Sequence, residues 1–140
     1  MKIQRYEHND EKKRELFGWI GEACASIAIR NHLGNAISSK PGDVWLLAIE
    51  GDQLLGFCSV SPLKSQSAGN LHALYAFPDS KEQAVESKLR KAAVAEAKKM
   101  ELEAIRITDF RKLKPFYTKD GWKAVGDRGQ NYHVYEVVVD

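Results

Sequence analysis

The fold class is decided by residues 71–108, which read LHALYAFPDSKEQAVESKLRKAAVAEAKKMELEAIRIT. The first seven residues are largely apolar and end at Pro78, as expected of a strand. A helix is predicted from Lys81 to Met100, because Ser80 and Gln83 have the spacing of a capping box and apolar residues then recur at helical spacing. The β-branched run EAIRIT predicts a buried strand beside the first. This strand, helix, strand order implies a right-handed parallel crossover, so the fold class is α/β.

Upstream of this unit, the sequence predicts one helix and a hairpin. Residues 44–50, VWLLAIE, and residues 54–61, LLGFCSVS, read as two antiparallel strands joined by a turn at Gly51, Asp52 and Gln53. The helix begins after Asn9-Asp10 and is expected to continue as one element to Gly34-Asn35. Its apolar residues at helical spacing are Leu16, Phe17, Ile20, Ala23, Cys24, Ile27 and Ala28.

Downstream, a short helix and a last strand are predicted. The helix spans Leu113 to Asp120, opens near Pro115 and closes at Gly121, because proline is favoured in a first helical turn and glycine just after a last one. The run VYEVVV, residues 134–139, then has the composition of a strand.

Composition sets the class of protein expected. A chain of 140 residues, 44% hydrophobic, predicts a single domain over residues 1–140 with one real core. The formal net charge is only +2, so global charge indicates no class of partner. The N-terminus lacks the apolar region of a signal peptide, and no uncharged apolar run approaches the roughly 20 residues that cross a bilayer. With Cys24 and Cys58 inside apolar segments, we expect a reduced cytoplasmic protein that does not engage a membrane.

Three segments together resemble a known family. They are the hairpin VWLLAIEGDQLLGFCSVS, the strand LHALYAFPDS with the helix after it, and PFYTKDGW at residues 115–122, and they stand in the right order over residues 44–125. The last is the most specific, as it matches a Phe-Tyr-x-Lys-x-Gly-Phe segment. The chain thus resembles the GCN5-related N-acetyltransferases (GNATs). The resemblance implies a mixed, mostly antiparallel sheet with one parallel strand-helix-strand crossover, flanked by helices.

The resemblance also implies an activity, the transfer of an acyl group from acetyl-CoA or another acyl-CoA to a primary amine. In the family the pantetheine lies between two splayed parallel strands, and the pyrophosphate lies on the N-terminus of the helix after the fourth strand, where free N–H groups and the helix dipole favour an anion. A backbone N–H around Leu74, Tyr75 and Ala76 is expected to polarise the thioester. Tyr117 matches the tyrosine that protonates the departing thiolate, and a phenol with a pKa near 10 carries that proton at neutral pH.

The cofactor loop implied by the resemblance departs from the family pattern. It covers Lys81 and the run Ala84, Val85, Glu86 and Ser87. Lys81 keeps a cation and Ala84 adds only a methyl group, but Glu86 stands where a small residue lets phosphate approach, and its carboxylate would repel the pyrophosphate. Two alternatives stay open. Glu82 and Glu86 are also what a solvated helix start contains, since acidic residues offset the helix dipole; or Lys88, Arg90 or Lys91 neutralise them, and the cofactor binds.

A base must take a proton from the acceptor ammonium before the amine attacks. His72 is the first candidate, because an imidazole titrates near neutral pH and its strand borders the cleft implied by the resemblance. Asp109 and Glu50 are the other candidates. The family often has an asparagine seven residues before the tyrosine, and here that position is Phe110.

The acceptor is a small-molecule or macromolecular amine that the sequence does not identify. A basic concentration, interleaved with aromatic residues, makes a nucleic acid or nucleotide acceptor an alternative. Its members are Arg106, Arg111, Lys112, Lys114, Lys119 and Lys123. His8, His32 and His133 share no ligand spacing, so no metal is expected. The second class of function is a catalytically inactive GNAT-like module that binds protein or nucleic acid, and the chain is expected to be a monomer or a homodimer.

Overall fold

The computed structural model describes residues 1–34, 36–62, 67–78 and 81–139. In chain order its elements are β1 (Lys2–Glu7), α1 (Lys13–Ala25), α2 (Ile27–Leu33), β2 (Val44–Glu50), β3 (Gln53–Pro62), β4 (Ala68–Ala76), α3 (Glu82–Lys99), β5 (Ala104–Phe110), α4 (Lys114–Lys119), β6 (Lys123–Arg128) and β7 (Tyr132–Val138). No helix in these ranges is both long and apolar enough to span a bilayer.

The strands form one sheet in the order β1-β2-β3-β4-β5-β7-β6. β4 and β5 run parallel, connected by α3, and every other neighbouring pair is antiparallel. The predicted fold class is therefore confirmed, as are the hairpin β2–β3 and the crossover β4–α3–β5.

The centre of the sheet is covered on both faces. Along β2 alternate side chains point to opposite sides, so Val44, Leu46 and Ala48 join the core under α3 while Trp45 and Leu47 join a second core under α1 and α2. A strand buried on both faces cannot alternate between polar and apolar residues, which is why VWLLAIE reads as a continuous apolar run.

The predicted single N-terminal helix is wrong, because Ser26 divides it into α1 and α2. Ser26 is extended, with φ −78° and ψ 118°, and its side chain accepts a hydrogen bond of 3.2 Å from the Ile29 N–H, so it is the N-cap of α2. The chain changes direction there. As a result Ile27, which helical spacing places on the apolar face, is 70% exposed.

Two strands were not predicted, and both lie at sheet edges. β1 pairs only with β2, and β6 pairs only with β7; most of their side chains are charged or exposed, so neither carries an apolar pattern. β4 also begins earlier than predicted, at Ala68, and takes in Gly69 and Asn70. The capping residue expected for α3, Ser80, lies outside the described residues.

Gly56 sits where β3, β4 and α3 come closest. A Cβ built on Gly56 would lie 2.6 Å from the Tyr75 carbonyl oxygen and 2.9 Å from Cγ1 of Val85. The first of these atoms belongs to paired sheet backbone, which cannot move aside as a side chain can. Glycine is therefore required for α3 to pack against β3 at this height.

We expect Gly56→Ala to lower the free energy of unfolding by about 1–3 kcal/mol, the usual cost of overpacking a core. Chemical denaturation of both proteins measures it. The matched control is Gly18→Ala in α1, where a Cβ meets nothing within 4 Å; this change should raise stability by roughly 0.5–1 kcal/mol, because alanine replaces glycine within a helix. Equal effects of the two substitutions would contradict the packing argument.

Candidate active site

The central feature of the sheet is a cleft where β4 and β5 part. The two strands pair only at Ala68 with Ala104, Gly69 with Ile105 and Asn70 with Arg106. Beyond these pairs both strands continue, to Ala76 and to Phe110, paired with their outer neighbours β3 and β7 but not with each other. A cleft of about 720 Å³ opens between them, bordered by α2 on one side and the start of α3 at one end. This volume is typical of small-molecule sites.

A β-bulge turns the backbone of β4 at the same point. Phe57 pairs with Tyr75 and Ser59 with His72, so two residues of β4, Ala73 and Leu74, stand opposite one residue of β3. Ala73 has φ 54°, a left-handed conformation that residues with a Cβ rarely adopt. Such outliers concentrate at functional sites. Leu74, Tyr75 and Ala76, the stretch predicted to polarise a carbonyl, all line the cleft.

His72 lines the cleft beside the bulge, as predicted for the candidate base. Its Nε2 lies 2.9 Å from Oγ of Ser61. Burial lowers the pKa of His72, with Lys40 acting in the same direction, and the Asp43 carboxylate opposes them in part. The imidazole is therefore neutral at pH 7 and able to take up a proton.

Tyr117 and Asp109 form a short hydrogen bond on the opposite side of the cleft. The Tyr117 hydroxyl donates to Oδ2 of Asp109 at 2.6 Å, and the ring is fully buried, stacked on Tyr135 with the Arg90 guanidinium 4.5 Å from its centroid. Burial and the Asp109 carboxylate raise the pKa of Tyr117 well above its usual value, so the phenol is protonated. Burial also raises the pKa of Asp109. Asp109 lines the cleft, and Tyr117 reaches it through the Asp109 carboxylate.

Glu86 faces the cleft from the second turn of α3. Its side chain is only 8% exposed, and no described residue gives it a hydrogen bond or an ion pair. Burial raises the pKa of Glu86 to about 7; repulsion from Asp109 and Glu82 adds to this and the Arg90 charge reduces it. The carboxyl group is thus divided between its neutral and charged forms at physiological pH.

The fold is shared with solved structures of acyltransferases. An acetyltransferase of the GNAT family from Staphylococcus aureus Mu50 has a TM-score of 0.67 at 16% identity, over 99% of this chain and 100% of that one. The aminoglycoside 6′-N-acetyltransferase from Enterococcus faecium has a TM-score of 0.71 at 14% identity, over 100% of this chain and 98% of that one. BjaI, a CoA-dependent acyl-homoserine lactone synthase solved with SAM and isopentyl-CoA, has a TM-score of 0.76 at 13% identity, over 99% of this chain and 83% of that one. The chain has the GNAT fold. In sequence, no family model and no curated protein matches it.

Of the residues expected at the pyrophosphate site of a GNAT, Glu86 alone lines the cleft. Lys81, the N-cap of α3, and Ala84 are exposed, Val85 packs in the core at 2% exposure, and the Ser87 hydroxyl donates to Asp120 at 2.9 Å. Two neighbours that the GNAT pattern does not name, Glu82 and Gln83, line the cleft with Glu86. This end of the cleft therefore presents carboxylates where the family presents small residues.

Arg90 does not turn toward Glu86, which was one alternative left by the sequence. Its guanidinium binds Asp120, with Nη2 at 3.0 Å and Nε at 3.2 Å from Oδ2, and the pair is buried. The charge still lowers the pKa of Glu86, but it gives that carboxylate no direct partner. Lys88 and Lys91 are exposed and do not line the described cleft.

An aromatic wall closes the side of the cleft toward α2. Phe110, at the position where many GNATs have asparagine, stacks on Tyr132 at 5.0 Å and contacts His32 edge-on at 5.8 Å; His32 also contacts Tyr75 at 5.5 Å. Sequence reasoning did not place His32 in the cleft, because α2 and β4 are brought together only by the fold.

Within the basic concentration from residue 106 to residue 123, the two arginines are paired within the protein. Arg106 pairs with Glu136; Arg111 contacts Asp127 at 3.3 Å and donates to the Gly129 carbonyl at 2.8 Å. Glu50, a fallback base, is exposed at the end of β2 beside the N-terminus, 3.6 Å away, and does not line the described cleft.

The raised pKa of Glu86 predicts a pH-dependent stability. Its pKa rises from 4.5 to about 7 on folding, so its protonated form stabilises the native state fully below pH 4.5, and that contribution is lost as the pH rises to about 7. Relative to Glu86→Gln, the free energy of unfolding of the wild type should therefore fall by on the order of 2–4 kcal/mol between pH 4.5 and about pH 7, and it should fall no further at higher pH. Denaturation curves at pH 4.5 to 8.5 measure the difference.

Glu82→Gln is the matched control, because Glu82 is an exposed carboxylate in the first turn of the same helix. The free energy of unfolding of Glu82→Gln should stay within about 0.5 kcal/mol of the wild-type value across this pH range, as is usual for substitutions of exposed residues. A stability difference between wild type and Glu86→Gln that stays constant over this pH range would show that the Glu86 carboxylate is not buried in the cleft.

Proposed function

We propose that the protein transfers an acyl group from an acyl-CoA thioester to a primary amine, in the cleft between β4 and β5. The observation that carries the proposal is the coincidence of three features in one cleft: the parted strands, the bulge at Ala73, and titratable groups on both sides. His72 is neutral on one side, and Tyr117 with Asp109 holds a proton on the other. The structural neighbours support acyl transfer in general terms.

The residues of the cleft fit the two ends of acyl-CoA differently. Along the parted strands, backbone and apolar side chains such as Leu74, Ile107 and Leu113 suit an uncharged pantetheine arm. At the start of α3, free N–H groups favour an anion, but Glu86 opposes one whenever it is charged. A diphosphate therefore fits this end only when Glu86 is neutral, which its pKa of about 7 allows.

The cofactor would supply a thioester, whose acyl carbon is open to attack by an amine. Three parts of this chain would act on it. The bulged backbone from Leu74 to Ala76 would polarise the carbonyl oxygen by hydrogen bonding. Neutral His72 would accept the proton that the acceptor ammonium must lose. The leaving sulfur would take its proton from protonated Asp109, which lines the cleft, while the Tyr117 proton passes to Oδ2 of Asp109 and leaves Tyr117 as the phenolate until solvent returns a proton.

A specific observation also favours a second candidate, a GNAT-fold module that binds a partner without catalysis. A buried carboxylate at the start of α3 is the reverse of what an enzyme selected for diphosphate binding would keep. The acyltransferase and the non-catalytic module are distinguished by whether the protein binds acyl-CoA, and by the pH at which it does so.

Calorimetric titration with acetyl-CoA tests the proposal. If binding needs neutral Glu86, affinity should be about tenfold higher at pH 6 than at pH 8, because the neutral fraction of a group with pKa near 7 changes by that factor. Glu86→Gln should bind at least as tightly as the wild type at pH 6, with the pH step reduced. The CoA phosphates ionise in the same way in both titrations, so the difference in pH dependence between the two affinities isolates the effect of Glu86. Absence of binding by either protein at millimolar acetyl-CoA would favour the module.

Tyr117→Phe should lower kcat for acyl transfer by about 100-fold, a typical contribution of a general acid, with KM for acyl-CoA little changed. The matched control is Tyr132→Phe: Tyr132 lines the cleft, and its hydroxyl has no hydrogen bond among the described residues. Thermal unfolding confirms that both variants fold. Equal rates for the two variants would remove Tyr117 from the mechanism.

A further inference from the structure

Three polar side chains meet at the edge of the cleft next to the bulge. Asp43 directly precedes β2, Ser61 lies near the end of β3, and His72 lies on β4, so the three residues come from neighbouring segments of the sheet. Oγ of Ser61 lies 2.6 Å from Oδ1 of Asp43 and 2.9 Å from Nε2 of His72. Asp43 and Ser61 are buried, at 2% and 5% exposure, while His72 lines the cleft.

The hydrogen bonds of this cluster have only one consistent direction. A carboxylate accepts and does not donate, so the single proton of Ser61 goes to Asp43. The Ser61 oxygen must then accept its second hydrogen bond from His72, which places the imidazole proton on Nε2. In neutral His72, Nδ1 therefore carries the free lone pair, and no described residue bonds to it.

The charges around His72 suit a base that becomes charged only briefly. Burial keeps the ring neutral at rest by lowering its pKa, and Lys40 acts in the same direction. The Asp43 carboxylate, with Oδ2 4.0 Å from Nε2, stabilises the imidazolium once a proton arrives. The Trp45 ring packs edge-on against the imidazole at 6.1 Å. The other charged or titratable groups that line the described cleft are those of His32, Tyr75, Glu82, Glu86, Asp109, Lys112 and Tyr132.

We infer that Asp43 and Ser61 are positioning residues that fix His72 as its Nε2–H tautomer, so that Nδ1 accepts the proton of the acceptor's primary ammonium. The inference rests on the proposed function for the identity of that acceptor. The ammonium N–H bond breaks and an Nδ1–H bond forms; the Nε2 proton stays on the bond to Ser61, and the Ser61 proton stays on the bond to Asp43. The pair of Asp43 and His72 then carries no net charge, until the proton returns to solvent through the cleft.

Asp43→Asn gives the sharpest test, because it should reverse the chain of hydrogen bonds. The Lys40 N–H donates to Oδ2 of Asp43 at 3.1 Å, so the oxygen of the new amide is held there and its NH₂ group faces Ser61. Ser61 must then accept from the amide and donate to His72. The imidazole proton moves to Nδ1, and the nitrogen that served as the base is blocked.

The experiment records imidazole nitrogen NMR spectra of the ligand-free full chain, with His72→Gln identifying the His72 signals among the four histidines. The wild type should show the Nε2–H tautomer, Asp43→Asn the Nδ1–H tautomer, and Ser61→Ala a mixture that Ser61→Thr restores toward Nε2–H. The matched control is Ser59→Ala: Ser59 is buried opposite His72, yet its Oγ has no hydrogen bond among the described residues. It should change neither the tautomer nor the rate.

Acyl transfer is then measured from pH 6 to 9. His72→Gln should lower kcat by about 100-fold and Asp43→Asn by at least about tenfold, with KM for the thioester unchanged. An Nδ1–H tautomer in the wild type, or unchanged spectra and rates in Asp43→Asn and Ser61→Ala, would overturn the inference. If the wild type shows Nε2–H but acylates no amine, the proposed function and the role of Nδ1 both fail, while the tautomer lock stands, because it is read without ligand.

Discussion

The parting of two parallel strands after three residue pairs is the constraint on which the rest of the site depends. A strand that stops pairing leaves backbone N–H and C=O groups that must find other partners. β4 and β5 leave such groups on both walls of the cleft, and the bulge at Ala73 turns those of β4 further from the regular ladder. The same divergence gives α3 its place, since the helix begins where β4 ends and presents its first turns to the cleft.

Within this frame the two sides of the cleft hold protons in different ways. On one side, burial keeps His72 neutral and a fixed hydrogen-bond chain directs its free nitrogen; on the other, a buried phenol is bonded to a carboxylate whose own pKa is raised. Both arrangements arise from desolvation combined with one defined partner. Glu86 lines the same cleft without a hydrogen-bond or ion-pair partner among the described residues, and its pKa of about 7 makes the charge of the cleft vary near neutral pH.

The parts of the fold that the sequence predicted are those whose burial is visible in the order of residues. β2 is buried on both faces and reads as a continuous apolar run, and Pro78 and the periodicity of residues 82–99 mark β4 and α3. β1 and β6 escaped prediction because an edge strand exposes most of its side chains, and a charged segment such as KIQRYE has no pattern. The break at Ser26 was missed because apolar spacing continues across it, although serine is a favoured N-cap.

The sequence by itself determined the fold class, the hairpin β2–β3 and the crossover β4–α3–β5, since these follow from local patterns, and its resemblance to the GNATs singled out His72, Asp109, Tyr117 and Glu86 as candidate site residues. Only the tertiary structure decided what those groups do to each other. That Glu86 faces the cleft, that Asp109 stands between Tyr117 and the cleft, and that Asp43 and Ser61 lie behind His72 are contacts between segments far apart in the chain. Their pKa shifts depend on distance and burial, which sequence order does not contain.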